Sequence, residues 1–264
     1  MRYLILVFVL ACSSQATGYR IVQEGGSLVP SGAPGDSVAL RVNQIFSDGT
    51  SALVPKDRVL WSGAPLVTAQ VPAARDDSPF PAPANQPTAV FLSNPLRPDR
   101  EADLMGVLFI LDAGASASAS IAVTATLTDG PVVTGTVAVT AAAQGDAKRG
   151  AVVYGASGTN CARCHGETGH GSPANADGTT YTFDHATYDF PAPGINAEDG
   201  NLASDPGWTT VLFAMSAKAD VDNGAFALRA PMPDYLTYTN DEHPEPLSAR
   251  DFADILAFLQ TQTH

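Results

Sequence analysis

Residues 161–165 read Cys-Ala-Arg-Cys-His, and this pentapeptide constrains the chain more than any other feature in it. Two thiols separated by two residues sit one helical turn apart, and the next residue brings an imidazole beside them. C-x-x-C-H at this spacing reads as a covalent attachment site for a c-type haem. Cys161 and Cys164 add to the two vinyl groups on one edge of the macrocycle, and His165 ligates the iron as the proximal axial ligand. Three other readings fit less well. A redox C-x-x-C belongs at the start of a helix that follows a strand, whereas Gly155, Ala156, Ser157, Gly158 and Thr159 precede this one. A structural zinc site needs a second pair of ligands, and His170, His185 and His243 are scattered. A structural disulfide leaves His165 without a role.

The surroundings of the motif are helical. Residues 148–154 form a short helix candidate with Gly150 and Tyr154 on one face. Asp205, Pro206 and Gly207 read as a helix start. Trp208, Val211, Leu212 and Met215 follow at i, i+3, i+4 and i+7, the stripe of a buried face. Ser248 and Asp251 match a capping box, and Phe252, Ile255, Leu256 and Leu259 form the stripe behind it. Short helices joined by long loops lack a continuous core unless something large fills the centre. The connection over residues 175–201 contains Tyr181, Phe183, Tyr188 and Phe190, aromatics suited to cover the edge of such a group, the plainer reading, or to line a docking surface.

The second axial position decides whether exogenous ligands can bind. Met232 lies between Pro231 and Pro233, whose rings fix the backbone and hold the thioether at small ordering cost. Met215 belongs to the apolar stripe and reads as core. His170 follows His165 by only five residues, too few to reach the opposite face. His185 and His243 lie in polar loops and are the alternatives for a bis-histidine iron. With Met232 bound the iron has no open position. Without it the reading becomes a haem enzyme or a small-molecule sensor.

Three separated elements occur in the order expected of one family. The stretch Gly145-Asp146-Ala147-Lys148-Arg149-Gly150-Ala151-Val152-Val153-Tyr154 looks like an N-terminal helix, residues 161–166 match the attachment motif with its trailing glycine, and residues 247–259 look like the C-terminal helix that crosses the first. Residues 145–263 thereby resemble a class I, mono-haem cytochrome c domain. Arg229-Ala230-Pro231-Met232-Pro233-Asp234-Tyr235 resembles the methionine–proline ligand loop of that family. The resemblance implies an all-α domain over residues 145–264 and one covalent haem c held by Cys161, Cys164, His165 and Met232. It implies an iron cycling between Fe(II) and Fe(III), and electron transfer to or from a redox protein in the cell envelope. It implies a carrier, or an electron-transfer subunit of an oxidoreductase complex, with no catalytic residue. The family has a shorter connection after the motif. Here Pro191, Pro193 and Gly194 are the candidates for the loop carbonyl that accepts the proximal imidazole proton.

The first half of the chain reads differently. Val38, Leu40 and Val42 alternate, Asp48-Gly49 and Asp129-Gly130 are turn signals, and residues 59–61, 88–92, 104–111, 118–127 and 132–139 are β-rich. Many short strands with Gly and Pro turns argue for an all-β sandwich over residues 19–143. The turn Phe46-Ser47-Asp48-Gly49-Thr50 and the strand Val59-Leu60-Trp61-Ser62 give it a loose resemblance to bacterial immunoglobulin-like domains. Residues 71–98 carry seven prolines and no period, and read as an irregular excursion. Residues 141–145 are the linker. An alternative function follows from this half, an envelope scaffold or adhesion module with the haem peripheral.

Residues 3–11 are apolar and Arg2 is the only charge before them, a run too short to span a bilayer and suited to an export signal over residues 1–11. Val9, Leu10, Ala11 and Cys12 resemble the cleavage box of bacterial lipoproteins, in which Cys12 becomes the lipidated first residue and residues 12–18 a polar tether. Ser13 after the cysteine resembles the outer-membrane sorting pattern. The net charge is −13, and residues 146–264 hold 16 acids against 6 bases. Such a surface repels nucleic acid and favours a partner with a basic docking face. Membrane contact is then expected through the lipid alone.

Overall fold

The computed structural model describes residues 15–69, 88–112, 119–128, 130–155, 159–171, 180–183, 186–189, 192, 194–197, 209–219, 235–237, 239 and 245–262. Cys12, Met232, His185, His243, Trp208, Pro191 and Pro193 lie outside these residues. The architecture has two domains, a β-sheet-rich N-terminal region and a helical C-terminal region.

Alternation drives the N-terminal half into sheets. Along β3 (Ser37–Phe46) the side chains of Val38, Leu40 and Val42 point inward and are buried. Ile121, Val123, Ala125 and Leu127 do the same along β9 (Ser120–Leu127). One sheet runs in the order β1 (Ala16–Gln23), β3, β8 (Val107–Ile110), β7 (Ala89–Ser93), β6 (Leu66–Thr68), with β4 (Ser51–Leu53) also paired to β3. The other runs β2 (Ser31–Gly32), β10 (Val132–Val139), β9, β5 (Val59–Ser62). A single apolar cluster joins their facing sides, so the two sheets form a sandwich. Each Val or Leu fully buried there contributes about 1.5–3 kcal/mol.

The turn between β3 and β4 is built as its sequence predicts. Asp48 Oδ1 accepts from Thr50 N at 2.9 Å and from Thr50 Oγ1 at 2.7 Å, and Gly49 adopts φ +82°. Two features differ from the sequence reading. Strand β1 begins at Ala16, inside the stretch read as tether. Residues 98–104 form helix α1 (Pro98–Leu104), with proline in the first turn where its missing N–H costs nothing; the strand expected from residue 104 starts at Val107.

The helical half contains α2 (Ala147–Tyr154), α3 (Cys161–His165), α4 (Thr210–Ala219) and α5 (Ala249–Gln260). It also holds a hairpin of β11 (Thr180–Phe183) and β12 (Ala186–Asp189), in which Tyr181 pairs with Tyr188. The C-terminal half is helical as expected, and part of its aromatic connection closes on itself as two antiparallel strands. Among the described residues, no helix is long and apolar enough to cross a membrane.

Helix α4 joins the domains. Of the predicted stripe, Leu212 and Met215 are buried, Val211 is half-buried and Trp208 lies outside the described residues; every residue from Leu212 to Ala219 is buried. Leu212, Met215 and Ala219 pack on Val90, Leu92, Val107 and Phe109 from the outer face of β7 and β8. Phe213, Ala214 and Ala217 pack on the opposite side, with Phe213 edge-to-face against Phe252 at 5.6 Å. The β7–β8 ladder is thus apolar on both faces because it is covered on both. Polar contacts finish the junction. Asp36 Oδ1 accepts from Ala249 N at 2.7 Å and so caps the start of α5. Asn94 Nδ2 donates to Ala219 O at 3.1 Å, and Lys218 Nζ donates to Gly35 O at 3.4 Å.

Lys218 is buried over the Phe252 ring, 5.4 Å from its centroid. Burial lowers its pKa to about 8, against the upward pull of Asp36 and Asp251. A lysine with a depressed pKa in the folded state keeps its proton longer in the unfolded state. Its charge opposes folding fully below pH 8, and the penalty is relieved as pH rises from about 8 to 10.5. Replacing Lys218 with Met removes that charge. In urea denaturation the variant is expected to gain on the native protein by on the order of 3 kcal/mol at pH 7 relative to pH 10.5. A stability difference that stays constant across this pH window contradicts the assignment.

Candidate functional site

The site begins with a crossing of two helices. Gly150 of α2 meets α5 so closely that a Cβ there would overlap the carbonyl oxygen of Asp254 and lie 2.9 Å from Phe258 Cβ. The Asp254 carboxylate, fully buried, is the polar centre of the crossing. It accepts from Asp146 N at 2.6 Å, from Arg250 Nε at 3.1 Å and from the Arg149 guanidinium. Arg149 also pairs with Asp251. Asp251 closes the predicted capping box, accepting from Ser248 N at 2.8 Å. Burial pushes the Asp251 pKa up, but the hydrogen bonds from Ser248 and the Arg149 charge outweigh it and hold the group low.

The α2 helix then positions the motif. Thr159 donates back to Val153 O of α2 through its amide at 2.7 Å and its hydroxyl at 3.0 Å. Asn160 takes φ +64°, a left-handed conformation that asparagine tolerates better than most residues. Cys161, Ala162, Arg163, Cys164 and His165 form α3 immediately after it. Tyr154 donates its hydroxyl to Gly166 O at 2.7 Å, which ties the far end of α3 to α2. Burial, and then the neighbouring Cys161 and Cys164, push the Tyr154 pKa far up, so this hydroxyl stays a donor.

Cys161 and Cys164 are in no disulfide. The Cys161 sulfur lies 2.8 Å from Thr159 Oγ1 and 3.6 Å from the Tyr235 hydroxyl, which donates to Thr159 O at 3.2 Å. Burial pushes the Cys161 thiol up, while the hydrogen bonds from Thr159 and Tyr235 pull it back. Cys161 and Ala162 pack against the apolar cluster formed by α2, α4 and α5. Beyond the motif, Gly171 N donates to His165 O at 2.8 Å, and Gly169 (φ +79°) passes α5 where a Cβ would lie 2.7 Å from Leu259 Cδ2. His170 Nδ1 is 2.9 Å from Asn196 Nδ2, an amide that also donates to Thr168 O at 3.2 Å. His170 thus belongs to the loop on the motif's own side.

This donor set fits a c-type haem. The thiols are one turn apart and not consumed by a disulfide, the imidazole adjoins them, and the supporting surface is apolar. The element preceding α3 is a helix, unlike the strand a thioredoxin-type motif follows. Among the described residues, no cluster of three or more His, Cys, Asp or Glu side chains is gathered as a zinc site would be. The structure brings Cys161, Cys164 and His165 together on α3; Met232 and Cys12 fall outside the described residues. Sequence reasoning missed Thr159 and Tyr235, the two partners of Cys161. A tyrosine four residues past the Pro231 of the proline–methionine segment was the visible signal for the second.

Residues 147–263 match the cytochrome c family. The match covers α2 to α5 and excludes the sandwich. It supports a general role in electron transfer, and a c-type haem-binding domain of a family that is typically non-catalytic and often envelope-associated. A search of curated proteins returns no match to the chain.

The crossing provides a direct test of this construction. Gly150→Ala forces a methyl group into the Asp254 backbone, an overpacking that costs about 1–3 kcal/mol or more. Thermal unfolding is expected to fall accordingly, whereas Ala151→Gly, on the exposed side of the same helix, is expected to cost about 1 kcal/mol or less.

Proposed function

We propose that the chain is an envelope electron-transfer protein carrying one covalent haem c in residues 145–264. The observation that carries this reading is α3, where two thiols outside any disulfide and an imidazole share one turn against an apolar wall. Cys161 and Cys164 would hold the macrocycle through thioethers, with His165 as proximal ligand and Met232 as distal ligand. When bound, the haem supplies a one-electron couple between Fe(II) and Fe(III). Val153, Phe213, Phe252 and Leu259 belong to the apolar cluster on which Cys161 and Ala162 pack, and would limit water access to the group; Tyr154 and Tyr235 tie the two ends of α3. A thioether is a weak donor that favours the ferrous form, and the acidic surface of this half works in the opposite direction.

The remaining assignments concern placement. Cys12 is the proposed lipid-bearing residue, supported by the apolar run before it and the small residue at position 11. The outer membrane is the proposed location, with the redox half facing a partner that bears a basic patch. The sandwich is read as an immunoglobulin-like module, supported by the Phe46-Ser47-Asp48-Gly49-Thr50 turn and by strand β5.

The full chain, expressed in a host that attaches c-type haem, tests the reading. Haem is expected to stay with the polypeptide after denaturation, and Cys161→Ala with Cys164→Ala to abolish that retention. The ferric protein is expected to be low-spin with a weak band at the red end of its spectrum, lost in Met232→Ala. A high-spin ferric spectrum in the native protein, or a band that persists in Met232→Ala, rules out Met232 as the ligand.

A further inference from the structure

Two hydroxyls bear on the Cys161 sulfur. With Asn160 left-handed between the two residues (φ +64°), Thr159 Oγ1 comes to 2.8 Å from Sγ, and the Tyr235 hydroxyl lies 3.6 Å away. Both residues are buried, Thr159 at 1% exposure and Tyr235 at 3%, so bulk water does not compete for these contacts. The protons of the two hydroxyls are already committed. Thr159 Oγ1 donates to Val153 O at 3.0 Å, and the Tyr235 hydroxyl donates to Thr159 O at 3.2 Å. A hydroxyl carries one donor and two acceptor lone pairs. Thr159 Oγ1 therefore presents an acceptor to Cys161, and the thiol is the donor. Its S–H bond is aimed at Thr159, which fixes the side-chain torsion and leaves the sulfur lone pairs pointing elsewhere. The two supports stand on different helices. Thr159 is tied to Val153 of α2 through amide and hydroxyl, and the Tyr235 amide donates to Ala217 O of α4 at 3.3 Å.

We propose that Thr159 and Tyr235 are positioning residues for thioether formation at Cys161: the pair holds the thiol in one orientation while the bond closes. This rests on the reading of residues 161–165 as a haem attachment site. In that step Cys161 Sγ adds to one carbon of a vinyl group. The S–H bond and the vinyl π bond break, an S–C bond and a C–H bond form, and the hydrogen of the thiol ends on the neighbouring vinyl carbon. Atoms and electrons balance without an oxidant or a reductant. A thiol free to turn divides its time among the staggered rotamers. One held by groups fixed to α2 and α4 is ordered before it reacts, which raises its effective concentration at the bond to be made. Thr159 and Tyr235 act through Cys161 and exchange no atom with the group. The signature of the arrangement is an asymmetry between the two thioethers, because these contacts are made to Cys161.

The test uses the full chain isolated from a host that attaches c-type haem, then denatured, alkylated at any free thiol and digested. Peptide mass spectrometry reports which cysteine lacks its thioether. The visible band of the reduced pyridine complex moves to the red where one vinyl group remains. Thr159→Val and Tyr235→Phe each remove one hydroxyl and keep the shape of the side chain. In each, the fraction of chains alkylated at Cys161 is expected to rise about fivefold, the equivalent of one hydrogen bond of ordinary strength, with haem retained through Cys164. Tyr235→Phe serves if the valine variant folds poorly. Thr159→Ser restores the hydroxyl and is expected to match the native chain. Ile255→Val thins the same apolar cluster by one methyl group and is expected to lower thermal stability without the change at Cys161. Complete attachment at Cys161 in both hydroxyl-deleted variants overturns the proposal, and complete attachment in one of them overturns the role of that residue. An equal rise in Ile255→Val, or alkylation shared evenly between Cys161 and Cys164, overturns it as well. A native chain that loses its haem on denaturation instead removes the premise, and does so before any variant is compared.

Discussion

No side chain fits between α2 and α5 at position 150, and the helical half depends on that contact. The backbones approach until the glycine faces the Asp254 carbonyl directly. Close approach leaves little room for water around the buried Asp254 carboxylate, which is acceptable only because Asp146 N, Arg149 and Arg250 all donate to it. Removing Arg149 would leave that charge short of a partner, so the ion pair and the glycine form one device. Its product is the direction of α2. Tyr154 at the end of α2 reaches Gly166, and Thr159 folds back to Val153, so α3 is placed by the crossing rather than by its own five residues. A helix of that length has no stability by itself.

The second dependence runs between domains. Helix α4 is buried on both sides, and neither half contains all of its environment. The sandwich caps α5 through Asp36, holds the end of α4 through Asn94 and accepts from Lys218 at Gly35. An apolar layer with these polar ties is unlike a flexible linkage between independent modules. The sandwich therefore supports the helical half directly, through α4 and the start of α5.

Much of this was legible in the sequence where the signal is local. C-x-x-C-H, the Ser248–Asp251 capping box, the Asp48-Gly49 turn and the alternation of Val38, Leu40 and Val42 each encode their geometry within a few residues. What was not legible depends on partners distant in the chain. The i, i+3, i+4, i+7 stripe of α4 announces one buried face, and its second face is buried only because a sheet more than a hundred residues earlier covers it. Ala89–Ser93 reads as a buried strand without saying that a helix supplies one of its covers. Asn94, a single asparagine after that strand, looks like any turn residue until Ala219 is set beside it. The β11–β12 hairpin was hidden by aromatics that suit a loop over a ligand equally well.

The position of α4 also bears on how the protein would meet its partners. The sandwich covers one side of α4, and the start of α3 packs against the cluster on the other side. Arg163 on α3 is exposed, as are Glu167 and Thr168 just beyond it. On the proposed lipidation of Cys12, the four residue steps to the start of β1 at Ala16 would span at most about 14 Å. Such a tether would hold the sandwich close to the lipid surface. The packed junction would then pass that constraint to the helical half, whose 16 acids against 6 bases repel anionic headgroups. Orientation, which a freely diffusing carrier must find by collision, would here be set by a short anchor, a stiff sandwich and a helix buried on both sides.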